Sequence, residues 1–128
     1  LLNMAAGEYE PLANFFSIGL IGNAEWLEEE PEAAAAAMRA IWRAMKFLRE
    51  NPAEAKAAVR AYFPDLDQAI FDQAYETARL AYPTTPRISA DEIRRNLDFS
   101  KELTGNAIDV DISTIYTNAI VDLAAETM

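Results

Sequence analysis

The chain contains no cysteine and no histidine among its 128 residues. These absences exclude disulfides, thiol nucleophiles, imidazole acid–base catalysis and the usual zinc sites built from nitrogen and sulfur ligands. No apolar run reaches the roughly 20 residues that a membrane-spanning helix needs. The sequence also lacks a nucleophile elbow, a phosphate-binding glycine loop and a dinucleotide fingerprint. It therefore predicts no catalytic residue, no metal site and no cofactor, and it indicates a protein that is not an enzyme.

Basic residues are scarce, with 11 lysines and arginines against 21 aspartates and glutamates and a formal net charge of -10. Affinity for nucleic acid comes largely from clustered basic side chains, so we expect no nucleic-acid partner and no anionic membrane surface. The length and the 52% hydrophobic content suit one core, which predicts a single unit over residues 1–128. Because the sequence opens on Leu1-Leu2 without methionine or an export signal, we expect a processed or truncated product.

The run from Phe15 to Ile21 predicts the first regular element of the chain. It is rich in aromatic and branched residues and ends at Gly22-Asn23, as a short buried strand does. Gly19 and Gly22 favour a strand over a helix at this position. One strand cannot complete a sheet by itself, so this prediction implies a partner that supplies the neighbouring strands.

The rest of the sequence predicts helices separated by proline, asparagine, serine and glycine signals. We expect helices from Asn23 as cap to Glu28, from Pro31 to about Arg49, from Asn51 as cap and Pro52 to about Phe63, from Leu66 to about Tyr82, from a Ser89–Glu92 capping box to Gly105, and from about Ser113 onwards. In the fourth of these, Leu66, Ile70, Ala74 and Ala78 share the expected apolar face. The last helix is predicted to be continuous, because apolar residues recur at helical spacing from Ile112 to Ala124.

Two acidic segments have a catalytic or metal-binding interpretation and a more common structural one. Four glutamates lie between residues 28 and 32, where they complement the dipole at a helix N-terminus. Asp109 to Ser113 is similar to the opening of a calcium loop, but Thr114 and Ile120 stand where that loop requires glycine and glutamate. We therefore expect Asp111 or Ser113 to cap a helix instead.

Four segments together resemble the C-terminal portion of the substrate-binding proteins of ABC importers, in the family of nitrate, sulfonate, taurine and thiamine-pyrimidine binders. The segments are NAEWLEEEPE after the predicted strand, RAIWRAMKFLRENPAEAKAAVRAYFPDLD, ISADEIRRNLDFSKELTG and STIYTNAIVDLA. Together with the residues that precede them, the four segments span Gly7 to Glu126. The resemblance rests on the order and spacing of these segments.

The resemblance implies an α/β fold, namely part of a two-lobed type II periplasmic-binding-protein fold in which this chain is mostly α-helical with one or two strands. It implies capture of a small organic or anionic solute between the lobes and an ABC permease of the inner membrane as partner. The expected location is periplasmic or otherwise extracytoplasmic. As the C-terminal portion, the chain would supply scaffold and part of the cleft, completed by the missing N-terminal part of the same protein or by a second copy of this chain.

Three residues are the candidates for the cleft wall: Tyr9, Asn14 and Phe16. They border the loop that enters the predicted strand. Asn14 is expected to hydrogen-bond the solute, and the two aromatic residues to supply an apolar or stacking surface.

A second function remains open at this point. Most of the sequence predicts helix, and its acidic charge favours solubility over catalysis. These features also fit a small acidic all-helical module for protein–protein interaction.

Overall fold

The computed structural model describes residue 16 and residues 18–128, and this part of the chain is mostly helical. Its elements are α1 (Ala24–Glu29), α2 (Pro31–Glu50), α3 (Pro52–Arg60), α4 (Gln68–Ala81), α5 (Ala90–Thr104), a 3-10 helix (Ile112–Thr114) and α6 (Ala119–Ala125). No strand occurs among these described residues, so the helical content of the fold prediction is confirmed. None of the described helices combines the length and the apolar character required to span a membrane.

The described residues form two compact units, one from the N-terminal side to Arg39 together with Arg87–Met128, and the other from Ala40 to Pro86. We call them unit 1 and unit 2. The buried residues of unit 1 are Ala34, Ala35, Ile93, Val121 and Ala124, and those of unit 2 are Met45, Ala55, Phe71 and Tyr75. Of the described side chains, no large one is completely buried. The two cores are therefore small, and that of unit 1 is rich in alanine.

The predicted helix starts at the two prolines are confirmed, with one difference in capping. The Asn23 side chain accepts a hydrogen bond from the Trp26 N–H at 3.0 Å and so caps α1 as expected. Asn51 occupies the N-cap position of α3 as predicted, but its side chain makes no capping hydrogen bond. Its main chain instead joins two helices: its N–H donates to Phe47 O and its carbonyl accepts from Ala55 N, both at 2.9 Å.

The segment predicted as a buried strand is neither a strand nor buried in its described residues. Phe16 and residues 18–21 have no regular secondary structure, and Ile18 and Leu20 are exposed, while Ile21 is fully so. The side chain of Phe16 occupies the space beside Gly19, where an added Cβ would collide with the ring. In a strand, residues three apart point to opposite faces, so this contact requires a bent chain. The glycine that favoured a strand instead makes room for the ring.

The buried face of α4 differs from the predicted one. Phe71 and Tyr75 are buried, whereas Ile70 is 58% exposed. The helix starts at Gln68 because the Asp67 side chain accepts hydrogen bonds from the N–H groups of Ala69 and Ile70. The buried aromatic face lies against α3, where the Tyr75 hydroxyl donates to Pro52 O at 3.1 Å. Two large aromatic side chains bury more apolar area than one isoleucine among alanines, and this difference decides the orientation.

The predicted continuous C-terminal helix is also wrong, since it is divided in two. A 3-10 turn at Ile112–Thr114 is followed by residues without regular helical structure, and α6 starts only at Ala119. Asp111 caps the 3-10 helix as expected, by accepting from Ser113 N at 2.9 Å. The break is stabilised by Asn118, whose side chain bonds the main chain of Ile88. That tertiary contact holds the chain at the residue before α6.

Candidate functional site

Of the three predicted wall residues, Phe16 is described, whereas Tyr9 and Asn14 lie outside the described residues. Phe16 belongs to unit 1 and its side chain is half-buried. The described part of the candidate site therefore consists of Phe16 and of α5, the helix whose side chain bonds to it.

The main chain of Phe16 is held by the side chain of Asn96 on α5 through two hydrogen bonds. The Phe16 N–H donates to Asn96 Oδ1 at 3.1 Å, and Asn96 Nδ2 donates to the Phe16 carbonyl at 2.6 Å. Both polar groups of this peptide position are thereby satisfied within the protein. The N–H of Phe16 is therefore not available to another acceptor, whereas its carbonyl oxygen keeps one lone pair.

The ring of Phe16 lies beside Gly19, in the space that a Cβ at that position would need. A half-buried phenyl ring offers an apolar surface, and its face attracts planar or cationic groups through its quadrupole. It supplies no proton and no nucleophile. The chemistry available at this position is contact and orientation, which suits binding.

Helix α5 is the element that places Asn96, and both of its ends are capped. At its start, Ser89 Oγ accepts from Glu92 N at 3.2 Å while the Glu92 carboxylate accepts from Ser89 N at 2.7 Å. At its end, Gly105 adopts a left-handed φ of 74° and its N–H donates to Lys101 O at 2.8 Å. These features were predicted from the sequence and are confirmed.

Asn96 was not among the residues predicted for the site. Its signal was an asparagine in a helix interior, three residues after Ile93, which is buried. Asparagine is a poor residue inside a helix because its side chain competes for main-chain hydrogen bonds. An asparagine beside the buried face of a helix is therefore a reason to look for a main-chain partner elsewhere in the fold.

Among the described residues, two carboxyl groups have a shifted pKa. No cluster there brings together three or more residues of the metal-binding types. The pKa of Asp72 is lowered, chiefly by its hydrogen bond to Lys56, with desolvation opposing and Gln68 assisting. The pKa of Asp111 is lowered by hydrogen bonds from the Ser113 hydroxyl and N–H. Both carboxyl groups stay ionised at neutral pH, unlike a general acid or base poised near it.

Comparison with known proteins gives one match. Residues 2–55 match the family model described as NMT1/THI5 like. The match supports the resemblance to nitrate, sulfonate and thiamine-pyrimidine binders, over less than half of the chain. No curated protein and no solved structure matches. The matched segment contains all three predicted wall residues, together with α1, α2 and the start of α3.

Proposed function

We propose, from the family membership that residues 2–55 support, that this chain acts as a solute-binding component of an ABC import system. Proteins of this family bind substrates for transport and are generally not enzymes. In this proposal the protein captures a small organic or anionic solute between two lobes, and the chain supplies scaffold and part of the cleft. The family match is the observation that carries the proposal.

The cleft wall in this proposal contains Tyr9, Asn14 and Phe16. Its support is that all three lie within the matched segment, and that Phe16 has a half-buried ring and main-chain groups that are both hydrogen-bonded to Asn96. Phe16 therefore contributes apolar contact. Hydrogen bonds to the solute fall to other residues, of which Asn14 is the candidate.

The remaining parts of the proposal concern what completes the chain. We place it as the C-terminal portion of a two-lobed protein with the α/β type II periplasmic-binding fold, because the chain on its own has small cores and exposed apolar side chains such as Ile18 and Leu20. The strands of such a sheet would come from another part of the same protein or from a second copy. The proposed partner in the membrane is an ABC permease, and the proposed location is extracytoplasmic.

The experiment is a calorimetric and thermal-shift screen of the complete translated product that contains this sequence. The probes are taurine, sodium nitrate and 4-amino-2-methylpyrimidine, one for each solute class of the family. A solute at about 100 times its Kd should add about 2.7 kcal/mol to the free energy of unfolding. Saturable heat with any probe and a raised melting temperature are the expected results, whereas flat titrations with all three contradict the proposal.

A second candidate function is the acidic all-helical interaction module, and one observation favours it. The described residues contain helices and no strand, although the sequence predicted one. The two candidates differ in what the purified protein does alone. An interaction module should be a well-folded helical monomer by circular dichroism and light scattering, whereas part of a two-lobed protein should self-associate or exchange segments through its uncovered apolar surface.

A further inference from the structure

Two asparagine side chains of unit 1 make the same unusual contact with the main chain. Asn96 accepts from the N–H and donates to the carbonyl of Phe16, across 80 positions of sequence. Asn118 does the same to Ile88, at 3.0 and 2.9 Å across 30 positions. Each asparagine therefore forms a two-bond clamp on a single residue, and both clamps are partly buried.

Such a clamp supplies the two bonds that a neighbouring strand would supply. In an antiparallel ladder, a hydrogen-bonded residue pair exchanges one N–H···O bond in each direction. The primary amide of asparagine carries one acceptor and a donor group, so it can replace the strand residue at one position. Phe16 lies in the segment whose composition predicted a strand. The structure satisfies its main chain with a side chain instead of a sheet.

We propose that Asn96 is a positioning residue for the solute-binding wall: its clamp fixes the main chain at Phe16 so that the phenyl ring, and not the peptide group, faces the solute. This inference rests on the proposed function for the identity of its solute, whereas the clamp is a feature of the structure whatever the function. Fixing the wall before the solute arrives lowers the ordering cost of binding. Asn118 holds Ile88, which is outside the proposed wall, and it serves as the natural control.

The decisive variants are Asn96→Asp and Asn118→Asp, which keep the side-chain shape and add the same single charge. A carboxylate still accepts from the N–H, but its second oxygen then faces the carbonyl it previously donated to, so the clamp opens. Asn96→Ala removes both bonds without adding charge. Comparing the three variants separates loss of the clamp from the effect of charge.

The first measurement is amide hydrogen exchange by NMR at residues 16 and 88. In Asn96→Asp and Asn96→Ala the Phe16 amide should exchange about tenfold faster or more, because the chain at Phe16 can open without breaking the two hydrogen bonds to Asn96. The exchange rate of the Ile88 amide should not change. Asn118→Asp should give the reverse pattern. Unchanged exchange at Phe16 in both Asn96 variants, with circular dichroism showing an intact fold, overturns the positioning role. General loss of protection in Asn96→Ala also overturns it, because Asn96 would then support the whole unit.

The second measurement is the affinity of the complete product for whichever of taurine, nitrate and 4-amino-2-methylpyrimidine it binds. Asn96→Asp and Asn96→Ala should each weaken binding by about tenfold, the equivalent of about one net hydrogen bond, while Asn118→Asp leaves affinity unchanged. Equal affinities in all variants overturn the role in binding. If the unmodified protein binds none of the three probes, the proposed function fails, and the exchange result still decides whether the clamp fixes Phe16.

Discussion

The buried face of α4 leads to a quantitative prediction about two adjacent residues. Phe71 is 4% exposed, whereas Ile70 is 58% exposed. The Phe71 ring lies 6.4 Å from the ring of Phe63 and 6.1 Å from that of Tyr75, and the Arg60 guanidinium is 5.0 Å from its centroid. These distances lie within the ranges for favourable aromatic pairs and cation–π contacts.

Phe71→Ala should therefore lower the free energy of unfolding by about 3–5 kcal/mol, the usual loss for a buried phenylalanine. Ile70→Ala should change it by no more than about 0.5 kcal/mol, because most of that side chain is already in water. Urea denaturation followed by circular dichroism at 222 nm measures both. Phe71→Leu, which keeps more of the volume, should lose less and provides a folded variant if Phe71→Ala does not fold. Equal losses for Ile70→Ala and Phe71→Ala would refute the orientation of the helix.

Three further predictions concern local geometry and pH. Gly19→Ala should displace the Phe16 ring, seen as shifted ring resonances in NMR, with little change in stability because the colliding atom is the end of a side chain; unmoved resonances would contradict the contact. Gly105→Ala should cost about 1–2 kcal/mol in urea denaturation, since its φ of 74° is left-handed; no cost would contradict the cap. The Lys56 hydrogen bond lowers the folded-state pKa of Asp72 below 3.8. The contribution of ionised Asp72 to the free energy of unfolding should therefore be complete well above pH 3.8 and should be lost as the pH falls through the folded-state pKa. The difference in urea midpoint between the unmodified protein and Asp72→Asn should shrink from pH 7 to pH 3, and a constant difference would refute this linkage.

Local capping signals were sufficient to predict most helix boundaries. The Ser89–Glu92 box and Gly105 delimit α5, and Pro31 and Pro52 start their helices, because these effects act within one turn of the chain. Asn51 is the exception, since its main-chain groups already complete the hydrogen bonds of the two adjoining helices. Predictions of this kind depend only on neighbours in sequence.

Two of the errors, the predicted strand and the continuous C-terminal helix, arose where a distant contact decides the local structure. Asn96 holds Phe16 and Asn118 holds Ile88, and neither pairing leaves a periodic signal in the sequence. The same limit applies to the candidate site: the sequence indicated Phe16 as a wall residue but not the asparagine that holds it. A polar residue on an otherwise apolar helix side was the available signal, and its partner lies 80 positions away.

An NMR titration of the complete product with the solute that it binds in the screen tests most directly whether Phe16 lies in the binding wall. The signals of the Phe16 backbone amide and the Asn96 side-chain amide should shift together with increasing solute, while that of the Asn118 side-chain amide should not move. Saturable binding that leaves the Phe16 and Asn96 signals unchanged would contradict the assignment of this segment as the binding wall.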